Sequence, residues 1–300
     1  MESNTGCNST SNSTAVGSEK IAPAVVLGLC CLVGLPSNIT VIISIACEWN
    51  RNLSFTLKLM LNLAVSDALT LCLAPFVLYG ILFGWKLGLW SCKLLYFLGH
   101  CSLYVGVLTV TSMSVHRYHN VIKSRVTNRM ILQRLERWHR RLQLIGIWIL
   151  AFAFSLPVIF TQGVNDGLLR CQRTMESLSV EVTVLLFEIL FGFVIPFLTM
   201  LTCYLWLDKG LRQNGTNVRT YKKRLMISIV VAFFLFWTPV HIINLIDIVT
   251  TLTKRPCIDV WRVFSSTSQR FSMGLRSGLC GGQSMSEQDV SCSLNHSFTV

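Results

Sequence analysis

The 300-residue chain is 52% hydrophobic and only 13% charged, about half the roughly 25% of an ordinary soluble domain. That shortage of charge excludes a disordered chain and argues against a water-soluble two-domain enzyme. The formal net charge of +12, from 26 Lys and Arg against 14 Asp and Glu, would suit nucleic acid, but long uncharged apolar runs point to a membrane and not to a nucleic-acid partner.

Residues 1–20 are rich in Ser, Thr and Asn and contain two sequons, Asn8-Ser9-Thr10 and Asn12-Ser13-Thr14. They predict an extracellular tail glycosylated at Asn8 or Asn12. No apolar stretch precedes this tail, so no cleavable signal peptide is expected. Apolar runs follow at Ile21–Cys47, Leu57–Phe83, Trp90–Val115, Leu142–Thr161, Val182–Leu207 and Leu225–Thr251. Each is near or above the ~20 residues that cross hydrocarbon as a helix. The expected fold is an all-α membrane protein, with a six-helix bundle over 21–251 and a polar, disordered tail over 252–300. Asn38-Ile39-Thr40 falls inside a span and is a chance sequon.

Thirteen of the 26 basic residues lie in two loops, from Lys123 to Arg141 and from Lys209 to Arg224. Basic loops beside spans face the cytoplasm, which puts the amino terminus outside. Of the twelve cysteines, most lie in or beside spans, where they act as small apolar residues. Cys7, Cys92, Cys171 and Cys257 can lie outside. Cys92 opens the third span and Cys171 follows the fourth, so both can meet in the oxidising compartment as a disulfide. No CxxC pair or His cluster has metal spacing.

The intramembrane residues resemble the rhodopsin-like (class A) G-protein-coupled receptors. The resemblance rests on Gly34-Leu35-Pro36-Ser37-Asn38 in span one and Leu61 to Asp67 with Pro75 in span two. It continues with Trp85-Lys86-Leu87-Gly88 before Cys92, and with His116-Arg117-Tyr118 closing span three. Trp148 and Pro157, then Pro196 and Tyr204, then Phe233 through Phe236-Trp237-Thr238-Pro239, complete it. Within that family, Ser102-Leu103-Tyr104, Phe187-Glu188, Phe193 to Leu198 and Phe236 to Leu245 look like the leukotriene B4 receptors.

The resemblance implies roles. A carboxylate mid-membrane costs about 2.5–3.5 kcal/mol even on the lenient insertion scale, so Asp67 should face the interior. There the family holds a sodium ion, with Asn38 nearby; the bland alternative is a hydrogen bond from Asp67 to Asn38 or Asn62. Val107, Pro196 and Phe233 resemble the packing switch beneath Trp237, and Pro196 and Pro239 should kink their helices. Arg117, Tyr118 and Tyr204 resemble the surface that meets a heterotrimeric G protein, of Gi type. His116 stands where the family has the acid that restrains the arginine, so that salt bridge is absent. A hydroxylated eicosanoid is the implied ligand, held by Tyr96, Tyr104, Glu188, Trp237, His241 and Asn244 in an otherwise apolar cavity. Simpler alternatives are a buried donor paired with Glu188 and a satisfied core histidine at 241. Tyr96 replaces a family histidine and Gln162 a family arginine at the end of span four, which removes one partner for the ligand's carboxylate.

No run of membrane length follows Thr251; the best is Ile258–Phe264, broken by Asp259 and Arg262. The family's Asn-Pro-x-x-Tyr motif is absent. The expectation is a receptor whose seventh helix was lost by alternative splicing, mutation or gene-model error near Arg255–Phe264. Three functions compete: a plasma-membrane receptor for a leukotriene B4-like lipid; a chemokine or peptide receptor, if Cys7 and Cys257 are tied; and a non-signalling isoform that associates with full-length receptors. No catalytic constellation, transporter repeat or resident cofactor is expected.

Overall fold

The computed structural model describes residues 13–47, 53–123 and 130–212, apart from 166, 168–169 and 175–176, together with scattered positions between 227 and 249. Five spans emerge in chain order. They are α1 (Ser13–Cys47), α2 (Phe55–Phe83), α3 (Gly88–Lys123), α4 (Met130–Thr161), and a fifth built from α5 (Leu178–Ile189), a π-helical turn (Leu190–Val194) and α6 (Ile195–Arg212). The described positions of the sixth span are all helical. Asn8, Asn12, Pro239, Cys7, Cys257 and the whole tail after residue 249 lie outside the described residues, as does the expected kink at Pro239.

The apolar runs become helices because hydrocarbon offers no partner for a bare backbone amide or carbonyl. Their large side chains are also turned outward, as in Leu32, Trp90 and Phe160, which is the arrangement of a helix solvated by lipid rather than by water. Two helices outrun their apolar spans. α1 starts at Ser13, about two turns before Ile21, and α4 starts at Met130, twelve residues ahead of Leu142. α2 is capped by Ser54, whose Oγ accepts from the amide of Leu57 at 3.3 Å.

α3 is the central post. Its apolar window is 67% buried, against 22–28% for the other four spans, and it packs on α2, α4 and α6. One core joins Val41 and Ile45 of α1, Leu59, Met60 and Ala64 of α2, Tyr104, Val105 and Met113 of α3, and Ile147 and Ala151 of α4. A polar bridge runs through it. Trp148 Nε1 donates to Asn62 Oδ1 at 2.8 Å, and Asn62 Nδ2 donates to Thr109 Oγ1 at 2.7 Å, so one carboxamide ties α2 to both α3 and α4.

Span five does not simply kink at Pro196. The ring removes a donor at residue 196, and the helix adapts one turn earlier by widening: the Ile195 amide reaches back to the Leu190 carbonyl, five residues away. A π turn of this kind is a common answer to a broken ladder and often lies beside functional sites.

The segment after α4 carries the one sheet among the described residues. Strands β1 (Gln162–Asn165) and β2 (Arg170–Arg173) pair antiparallel, with Gln162 opposite Arg173 and Val164 opposite Cys171. Cys171 is joined to Cys92 at the start of α3, as the sequence predicts. Trp85 closes this end: its indole N–H donates to the Gly88 carbonyl at 2.8 Å. Its ring lies against Gly80, where a β-carbon would come within 2.7 Å of it.

Asn62→Leu should strand the Trp148 indole and the buried Thr109 hydroxyl together. Each unsatisfied group costs about 1–3 kcal/mol, so the variant should lose thermal stability in detergent. An unchanged melting midpoint would show that the bridge does not hold the three helices together.

Candidate functional site

The π turn lays open a small platform. A β-carbon placed on Gly192 would lie 3.7 Å from His241 Cε1, 3.8 Å from Trp237 Cζ3 and 3.8 Å from Tyr104 Cε1. Three of the residues predicted to bind ligand, from α3 and span six, thus converge on one glycine of span five. Helical spacing places Trp237 and His241 one turn apart, and their rings stack at 5.6 Å and 11°. Phe233 stacks beneath Trp237 at 5.4 Å, and Phe193 flanks His241 at 4.9 Å. His241 is therefore embedded in an aromatic column.

One turn before Gly192 on the same span, Glu188 forms a charged pair with Arg173 of the hairpin. Glu188 accepts from Arg173 Nη2 at 2.5 Å and from Asn244 Nδ2 at 3.5 Å. Glu188 is 8% exposed and Asn244 1%. Glu188 and Asn244, both named from the sequence as candidate ligand-binding residues, are in contact, and Glu188 also has a largely buried donor, Arg173. Tyr96 is placed elsewhere. It packs with Trp85, Leu95, Val158 and the Cys92–Cys171 disulfide, and its carbonyl accepts from His100 Nδ1 at 2.8 Å.

Below the platform, Val107, Met200, Val230, Phe233 and Trp237 form one buried cluster, with Phe197 and Tyr204 against it; Pro196 is buried beside Phe197. Of the residues that resemble the packing switch, Val107 and Phe233 share this cluster with Trp237, and Pro196 is not part of it. Farther down α3, Arg117 and Tyr118 are half-buried. His116 packs on Phe55 with ring centroids 4.9 Å apart, and the Arg140 guanidinium lies over the Phe55 ring at 5.5 Å. An aromatic contact takes the space that an acid would occupy.

Asp67 and Asn38 are both buried, but neither proposed hydrogen bond to Asp67 forms. Asn62 is spent on Thr109 and Trp148, and the Asn38 amide donates to the Gly34 carbonyl at 2.8 Å. This leaves Asp67 Oδ2 and Asn38 Oδ1 without a hydrogen-bond donor among the described residues.

Sequence reasoning missed Arg173, the Asn62 bridge and the π turn. A signal for Arg173 existed: in a strand, residues i and i+2 share a face, so an arginine two positions after the disulfide cysteine is aimed toward the bundle with it.

The chain matches the model of the 7 transmembrane receptor (rhodopsin family) over residues 37–272. It is 33% identical to rat leukotriene B4 receptor 1 over 276 residues, covering 91% of this chain and 76% of the relative. Against the human leukotriene B4 receptor 1 the figures are 32% identity over 229 residues, 74% of this chain and 63% of the relative. Mouse C-C chemokine receptor type 7 is 30% identical over 213 residues, 70% of this chain and 56% of that protein.

Removing Glu188 should be costly in a way that removing the pair is not. Glu188→Ala leaves the Arg173 guanidinium, only 13% exposed, without its counter-charge, a loss of roughly 3 kcal/mol for a largely buried pair. The Arg173→Ala/Glu188→Ala double variant should recover much of that loss in a thermal-stability cycle. Additive losses would show that the two side chains do not interact.

Proposed function

The chain belongs to the rhodopsin family of seven-transmembrane receptors, and from that premise we propose that it binds a hydroxylated, leukotriene B4-like lipid. The observation that carries this reading is the meeting of Tyr104, Trp237 and His241 at Gly192, next to the Glu188–Asn244 pair. Aromatic walls with a few buried polar groups suit a flexible apolar ligand that carries hydroxyls at fixed points. Glu188 and Asn244 would take the hydroxyls, and Tyr104 and Trp237 the hydrocarbon. Tyr96 would close the pocket from the hairpin end.

Coupling follows from the column beneath. A ligand pressing on Trp237 acts on Phe233 and Val107, and from there on Tyr204 and the Arg117–Tyr118 end of α3. That end would face a heterotrimeric G protein of Gi type. Pro239 would let span six hinge. Asp67 and Asn38 would hold a sodium ion that favours the resting arrangement. The amino terminus would be extracellular at the plasma membrane, with glycans at Asn8 or Asn12; glycosidase treatment of intact cells should shift the protein's mobility, and an unmodified tail would weigh against this orientation.

The lack of a further apolar run of membrane length after Thr251 bears on the output. A ligand shifts an equilibrium only by its differential affinity for two states, and a pocket short of one wall distinguishes them poorly. We expect little or no leukotriene B4-evoked calcium or cyclic-AMP response from the 300-residue chain in cells matched for surface expression. Inserting a family seventh helix between Arg255 and Phe264 should restore the response. A strong response from the unrepaired chain would overturn the truncated-receptor reading. A chain that cannot signal alone but still folds would act by associating with full-length receptors. A chemokine ligand is the alternative supported by the similarity to C-C chemokine receptor type 7; a response to chemokine and not to lipid would establish it.

A further inference from the structure

We propose that Arg173, on the hairpin rather than on any helix, is the group that binds the carboxylate of the lipid, and that Glu188 is its resident counter-ion, displaced when the ligand arrives. This inference rests on the lipid-receptor reading and deepens it. It starts from hydrogen-bond capacity. A guanidinium carries five N–H donors in a rigid fork, and Glu188 takes Nη2. Arg173 Nε is buried and has no partner among the described residues. Directly across the strand pair stands Gln162, 3% exposed, whose Oε1 is also buried without a partner. In a planar guanidinium Nε–H points the same way as one Nη2–H, so the edge that Glu188 holds by a single bond has an unused donor beside it, and release of Glu188 frees a two-donor edge for an incoming carboxylate.

Charge decides which ligand group fits. The cation is fixed in place: Arg173 is two residues from Cys171, which is tied to α3 through Cys92. Exchanging one carboxylate for another on a buried guanidinium leaves the Coulomb attraction nearly unchanged, because the desolvation of Arg173 has already been met in the resting pair. Glu188 does not lose every partner on release: Asn244 donates to its other oxygen, and the ligand's hydroxyls supply further donors. A neutral lipid cannot make the exchange and must leave Glu188 on Arg173. The fork geometry of arginine favours a planar, bidentate acceptor, which a carboxylate is and an ester is not. Gln162, with its amide turned either way, completes the site by accepting from or donating to the same end of the ligand.

The test compares leukotriene B4 with its methyl ester, which keeps every hydroxyl and the whole hydrocarbon, in competition binding on membranes that carry the full chain. The unmodified chain should prefer the acid. Arg173→Ala should weaken the acid by about tenfold or more while the ester changes little, so that the preference vanishes. Arg173→Lys should keep part of it. Glu188→Gln removes the competing anion and should raise the acid-to-ester ratio, an outcome that a merely structural ion pair would not produce. If the unmodified chain prefers the acid and Arg173→Ala still does, Arg173 is not the carboxylate site, and the lipid-receptor reading stands without it. Equal losses for acid and ester in Arg173→Ala would likewise overturn the proposal and make the pair a structural strut. If neither compound binds the unmodified chain, the lipid-receptor reading itself fails and takes this inference with it.

Discussion

A polar side chain in hydrocarbon has to find its partner inside the protein, and in this bundle that constraint is met around α3. The helix is the least lipid-exposed of the five spans, and the polar contacts between spans gather on it or beside it. Thr109 receives Asn62, which in turn receives Trp148. The disulfide fastens the first turn of α3 to the hairpin, and the hairpin brings Arg173 to Glu188 on span five. If α3 turned about its axis, Thr109 would leave Asn62 and Tyr104 would leave Gly192. The structural bridge and the candidate site are thus oriented by the same helix.

The π turn links backbone chemistry to the pocket. Pro196 denies the helix a donor, and the extra residue absorbed before it changes which side chains span five presents. Glu188 lies just ahead of the wide turn and Gly192 within it. A larger residue at 192 would occupy the space on which Tyr104, Trp237 and His241 converge. The proline thus follows directly on a locally widened helix that carries the platform.

Most of the architecture was legible in the sequence because hydropathy reports on the solvent, and here the solvent is lipid. Five runs of apolar residues became five spans with little error where an apolar end coincides with a helix end, as at Phe83 and Thr161. The errors fall where a helix continues into water. α4 extends back to Met130 through Arg134, Arg137 and Arg140, since basic residues support a helix well but do not register as hydrophobic. The hairpin was unreadable for another reason: strands of four residues carry too little alternation to stand out from a loop. Among the site residues, Glu188, His241 and Asn244 were visible as polar residues in apolar spans. Arg173 was not, because an arginine in a loop is unremarkable until the loop is folded over the bundle. Asp67 lies in the interior, as expected, and the hydrogen bonds to Asn38 or Asn62 weighed as the bland alternative do not form, since Asn62 is held by Thr109 and Trp148 and Asn38 by Gly34.

That last difference bears on what a missing seventh span does. Asp67 is 7% exposed and Asn38 is wholly buried. Enclosure is not satisfaction, however: each retains an oxygen without a donor among the described residues. Burying such an acceptor costs about 1–3 kcal/mol. The sequence beyond Thr251 contains no further apolar run of membrane length to bring these oxygens a donor. The ligand platform does not share this dependence, because Tyr104, Glu188, Gly192, Trp237, His241 and Asn244 all belong to spans three, five and six. The surroundings of Asp67 therefore depend on further elements of the bundle in a way that the contacts among Tyr104, Glu188, Gly192, Trp237, His241 and Asn244 do not.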